Sequence, residues 1–183
     1  MKVEIVEIGT SDFRTEAGKR SGLFVEPVKE HFNRLPKCLK ENVAVSNKEG
    51  FIDLYYIPSV VIQSEGLPNW VRGCNSVGVP HPTIISNGWD KFLSYEVVEV
   101  VRIKTLLEKH GITEIDTLKI DTEGHDTIIL NDFLDTCTIK PKTIQFESNV
   151  LSNQDQVKAV VKRLEKIGYK CEQVKFDMLC VLS

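Results

Sequence analysis

Val3-Glu4-Ile5-Val6-Glu7-Ile8 alternates apolar and polar residues and stops at Gly9, which predicts a first strand running into a tight turn. Leu23-Phe24-Val25 is a second apolar burst, closed by Glu26-Pro27. Val28, Phe32 and Leu35 then recur at helical spacing behind that proline. Val43-Ala44-Val45 reads as a third short strand, Asn47 to Gly50 as a turn, and Phe51 to Ile57 as its hairpin partner. Further on, Val97 to Ile103 is β-branched and strand-like, and a short helix from Thr105 to His110 ends at Gly111. Leu118 to Asp121 is the next strand, and Ile128, Ile129, Phe133 and Leu134 mark the buried face of a helix. Thr143 to Glu147 is another strand, and Val157, Val160, Val161, Leu164 and Ile167 line one face of a helix stopped by Gly168. Tyr169 to Val174 and Phe176 to Leu182 close the chain as two hairpin-like strands. Strands alternating with helices predict an α/β domain with a mostly parallel sheet and helices on both faces; the terminal hairpin adds an antiparallel edge.

One stretch breaks the pattern. Residues 58 to 91 hold four prolines, four glycines and both tryptophans, Trp70 and Trp89, without a sustained period. They are expected to form a long irregular insertion in a single domain spanning residues 1–183. A loop of this length in a compact domain is usually functional or disordered, and the tryptophans argue against disorder.

Composition narrows the classes. A chain of 183 residues, 42% hydrophobic and 27% charged, is long enough for one sizeable core. With a net charge of −3 and no basic run, a nucleic-acid partner is not expected. No apolar run approaches a membrane span, and the acids of the first residues do not suit a signal peptide. Five cysteines without a CxxC pair read as reduced thiols of a cytoplasmic protein.

Three strand ends carry the candidate chemistry. Glu7-Ile8-Gly9-Thr10-Ser11-Asp12 ends the first strand, and a glycine there lets a ligand approach the backbone. Glu26, about 20 residues past that turn, can accept hydrogen bonds from both ribose hydroxyls. Ala44, Val45 and Ser46 supply small apolar contacts and a polar end suited to an adenine ring. The dinucleotide fingerprint G-x-G-x-x-G is absent, because Ser11 and Arg14 stand where its later glycines would be. A nucleoside cofactor without phosphates, S-adenosylmethionine, fits better than NAD, and Glu7, Asp12 and Asp121 could face its positive charges.

The segment Leu118-Lys119-Ile120-Asp121-Thr122-Glu123-Gly124-His125-Asp126, with Val6 to Gly9, Val25 to Pro27, Val45 to Gly50 and Ile144 to Glu147, resembles the FkbM-type methyltransferases. That resemblance implies a Rossmann-like class I methyltransferase sheet and methyl transfer from S-adenosylmethionine, commonly to a hydroxyl of a sugar or other small metabolite. It implies that Glu7, Gly9 and Asp121 surround the methionine end of the cofactor, with Glu26 at the ribose and Ala44 to Ser46 at the adenine. The segment Thr10 to Gly22 departs from the family, leaving room for barely two helical turns. The first strand is expected to start at Val3, without the helices that often precede it in the family. Either the 58–91 segment or a second subunit of a homo-oligomer is then expected to cover the acceptor pocket.

A hydroxyl acceptor needs a base near neutral pH. His125 is the first candidate, with Glu123 orienting it or acting as the base, and Glu147 the third. Trp70, Arg72, Asn75 and His81 are candidate acceptor contacts, and His81 is a second possible base. Asp121, Glu123, Asp126 and His125 could in principle converge on a divalent ion, but no metal is expected. The rival reading is a degenerate methyltransferase-fold domain that serves as a binding module.

Overall fold

The computed structural model describes residues 1–12, 14–149 and 152–183. Its larger sheet is built on β1 (Lys2–Ile8), with β2 (Gly22–Val25) and β3 (Leu39–Glu41) on one side. On the other side lie β8 (Glu114–Ile120), β9 (Thr143–Glu147), β11 (Asp177–Leu182) and, at the edge, β10 (Tyr169–Val174). The ladders joining β1, β2, β3, β8 and β9 are parallel, and β11 runs antiparallel to both its neighbours. Val3, Ile5, Val6 and Ile8 are all buried, as expected for a central parallel strand covered on both faces. The chain leaves β1 toward β2 and later returns on the opposite side through β8. The order therefore reverses between β1 and β8, where Ile8 and Ile120 are register partners and an α/β sheet opens a crevice for ligands.

Helices α5 (Asp126–Thr136) and α6 (Gln154–Lys166) pack on this sheet. In α6 the buried residues Val157, Val160 and Leu164 fall three and four apart, and the Asn153 side chain caps the first turn by accepting from the Gln156 N–H. The remaining helices are α1 (Lys29–Arg34), α2 (Ser59–Ser64), α3 (Pro82–Ser86) and α4 (Ile103–Lys109).

A second sheet of four strands has the order β4 (Ala44–Ser46), β7 (Ser94–Arg102), β5 (Gly50–Tyr56), β6 (Ser76–Val77). This corrects the expected hairpin of β5 on the 43–45 strand. Ala44 and Gly50 both face Val100 from opposite sides, so β7 lies between them. The parallel β4–β7 ladder has only three residue pairs, whereas β5 matches β7 over seven. Strand β3, whose Leu-Lys-Glu sequence gives no alternation to read, was not anticipated.

The segment read as irregular contains α2, a 3₁₀ turn at Asn69–Gly73, β6, α3 and a 3₁₀ turn at Asp90–Phe92. Ile57, Ile62, Val71, Cys74 and Ile84 form its own apolar cluster. Between β1 and β2 the described residues form no helix; turns and an Ala17–Arg20 bridge take the chain across. The expectation of five reduced thiols is corrected as well. Cys171 and Cys180 face each other across the β10–β11 ladder and are joined by a disulfide, while Cys38, Cys74 and Cys137 are free. This pairing comes from strand register, which the sequence spacing did not reveal. No helix among the described residues is long and apolar enough to cross a membrane.

Candidate active site

The loops after β1, β2 and β8 are tied together by their backbones. Gly9 N–H donates to the Val25 carbonyl at 2.9 Å, and Asp121 N–H to the Ile8 carbonyl at 2.9 Å. Gly9 has φ +79°, and a Cβ there would sit 1.8 Å from the Asp121 carbonyl oxygen, so only glycine lets these two loops touch. At the end of β2, Glu26 is buried, and its carboxylate accepts Ser11 N–H at 2.7 Å and Val28 N–H at 2.8 Å. Burial pushes its carboxyl up to about 7 even though both N–H donors favour the charged form.

Two cavities meet at these loops. The narrow one, about 60 Å³, has walls of Ile8, Glu26, Pro27, Ala44, Val45 and His125, and is roofed by Leu54, Asn75 and Val77. The wide one, about 640 Å³, is lined by Thr10, Trp70, Cys74, His81, Glu147 and Asn149, and by the β10–β11 turn at Lys175 and Phe176. Gly9, Ser11, Gly73, Asp121 and Glu123 line both.

Carboxylates dominate this junction. Asp121, Glu123 and Glu147 each offer an oxygen within 4.8 Å of the others, close enough to share one divalent cation, which the sequence had not been read to hold. Burial raises Asp121 to about 7, reinforced by the charges of Asp126 and Glu123. Burial likewise raises Glu147 to about 8, with help from Glu123, Asp126 and Asp121. Asp121 and Glu147 thus hold their protons more tightly than ordinary carboxyls unless a cation balances them. Behind it, buried Asp126 accepts Thr122 N–H at 2.9 Å and Glu147 N–H at 2.8 Å, stapling the ends of β8 and β9. Asp126 begins α5, and its structural part depends on β9, far away in sequence.

Several site residues are placed differently from the expectation. Glu7 is fully buried beneath the turn and accepts from the Thr15 hydroxyl, Glu16 N–H and, at 2.7 Å, the Lys119 ammonium; it lines neither cavity. Asp12 is paired with Arg34 at 3.0 Å and with Arg72, so Arg72 braces the first loop and lines neither cavity. Trp70 is half-exposed on the wide cavity, 5.7 Å from Trp89. Asn75 lies at the narrow cavity and donates to the Arg72 carbonyl.

Ser46 is buried and, against the expectation, lines neither cavity; its hydroxyl lies 2.9 Å from Nε2 of His125, which lines the narrow one. His125 is the N-cap residue of α5, its side chain caps nothing, and burial lowers its pKa. His81 is buried against Glu123, with Nε2 3.1 Å from a carboxylate oxygen. Sequence reasoning missed Lys119, Cys74, Asn149 and the β10–β11 turn as cavity or site neighbours; Lys119 alone carried a signal, as part of the strand that opens the carboxylate motif.

A sequence profile of the methyltransferase FkbM domain matches residues 7–171. No curated protein and no solved structure matches the chain significantly. The match runs from the end of β1 to the middle of β10, taking in the ends of β1, β2, β8 and β9, and the chain belongs to the FkbM methyltransferase family.

Proposed function

We propose that this protein is a single-domain S-adenosylmethionine-dependent methyltransferase that acts on a hydroxyl of a sugar or another small metabolite. One observation carries the reading: a narrow cavity and a wide cavity share a wall at the switch point of a mostly parallel sheet. The strand order, with β11 alone reversed, supports a Rossmann-like class I sheet.

The residues suit the cofactor. Glu26 lines a cavity edged by small Ala44 and Val45, with His125 as a polar group for a purine. The cradle at Gly9 has no room for a Cβ. A dinucleotide suits it less well, since no helix N-terminus among the described residues follows β1 to receive a pyrophosphate. When bound, S-adenosylmethionine supplies an electrophilic methyl group on a sulfonium. Asp121 and Glu123, on the shared wall, would face that charge, and the acceptor would enter the wide cavity past Trp70. Alignment across the wall would supply much of the rate.

Calorimetric titration with S-adenosylmethionine, S-adenosylhomocysteine and NAD tests it. Binding of the first two alone is the expected result. Silence for all three would replace the enzyme with a binding module, a reading favoured by the lack of a helix among the described residues of the first loop.

A further inference from the structure

We infer that His81 is a positioning residue that holds Glu123 as the base for the acceptor hydroxyl; this inference rests on the methyl-transfer reading above. Glu123 has φ +54°, in the left-handed region, where a residue with a Cβ is strained. Such a conformation persists where the surroundings over-determine it. Here Gly124, at φ +99°, continues the bend, and His81 grips the side chain.

The hydrogen bonds around His81 assign its tautomer. Thr83 N–H donates to His81 Nδ1 at 3.2 Å, so Nδ1 keeps its lone pair. The proton of the neutral ring is then on Nε2, which donates to Glu123 Oε2. Both ring nitrogens are committed, so His81 is not itself the base. No hydrogen bond from the described residues reaches the other oxygen of Glu123. That carboxylate lines both cavities, whereas His125 lines only the narrow one and Glu147 only the wide one. It stands where the donor methyl and an acceptor oxygen would meet. The acceptor O–H proton passes to Glu123 as its oxygen bonds to the methyl carbon, and the electron pair of the broken carbon–sulfur bond stays on sulfur.

The grip is rigid because His81 lies between Pro80 and Pro82 at the head of α3, whose Ile84 is buried in the insertion's own apolar cluster. The insertion therefore completes the catalytic centre by docking one imidazole behind a carboxylate that belongs to the β8 strand end.

Two substitutions separate the ring's two bonds. His81→Asn keeps an acceptor for Thr83 N–H and loses the donor to Glu123; His81→Gln keeps a donor at the reach of Nε2. With simple methyl glycosides as acceptors, His81→Asn should lower kcat roughly 10- to 100-fold, the scale of a ~1 Å misplacement. Cofactor Kd should change far less than kcat, and His81→Gln should restore most of the rate. A kcat within twofold of wild type in His81→Asn, or equal losses in both variants, overturns the inference.

Long-range ¹H–¹⁵N spectra of the imidazoles give a readout that needs no turnover. An Nε2–H tautomer whose proton resonance moves on Glu123→Gln is expected, and an Nδ1–H tautomer or an unmoved resonance overturns the assignment. If the wild-type protein binds no S-adenosylmethionine, the methyl-transfer reading has failed, and these spectra decide the His81–Glu123 link by themselves.

Discussion

Glu26 makes cofactor affinity depend on pH in a calculable way. In the free protein its carboxyl is raised from 4.5 to about 7, chiefly by burial. Ribose hydroxyls donating to it would favour the charged form, so binding should expel a proton wherever the free carboxyl still holds one. Affinity is then fully present above the free value of about 7 and is lost as pH falls through it. Each unit below that value costs tenfold, or about 1.36 kcal/mol, until the bound form itself protonates. From pH 7.5 to pH 5.5 the loss is roughly 25-fold, about 2 kcal/mol.

The assay is calorimetric titration with 5′-methylthioadenosine, which keeps the nucleoside but has no amino-acid part to involve Asp121. Repeating it in buffers of different ionisation enthalpy counts the released proton. Glu26→Gln should bind more weakly and lose the pH dependence. Folding gives an independent check with the opposite slope. Because the native carboxyl holds its proton more tightly than the unfolded one, Glu26 destabilises the apo protein progressively as pH rises from about 4.5 to about 7, by about 3 kcal/mol in all. A flat affinity between pH 5.5 and 7.5 would refute the ribose assignment.

His125→Ala should weaken nucleoside binding several-fold in an equilibrium titration, because its ring, hydrogen-bonded to Ser46, lines the narrow cavity; unchanged affinity with collapsed turnover would return the base to His125. In denaturant without reductant, three thiols should react with a labelling reagent and, after reduction, all five; five reactive thiols at the outset would remove the Cys171–Cys180 bond.

The parts of the site that could be read from the sequence are those fixed by local rules. Val3 to Ile8 and Leu118 to Ile120 carry the apolar signature of buried strands, and Gly9, Glu26 and Asp121 follow directly at strand ends. What lay hidden was set by partners distant in sequence. Elements of five or six residues, such as α2 and α3, are too short to show a helical period, so the insertion read as irregular. β5 found its partner through β7, and Cys171 met Cys180 through the register of the hairpin.

The acids make the same point about chemistry. Glu7 and Glu26 both end a β-strand motif in a similar setting, yet they differ in what remains free. Lys119, Thr15 and the Glu16 N–H engage Glu7 under the turn, away from both cavities, while Glu26 takes only two backbone donors and still fronts a cavity. Sequence position therefore says where a carboxylate will stand, and the neighbours brought in by folding say whether it has a lone pair left for a ligand. His81 behind Glu123 is the constructive case of that rule, and Arg72 on Asp12 the obstructive one.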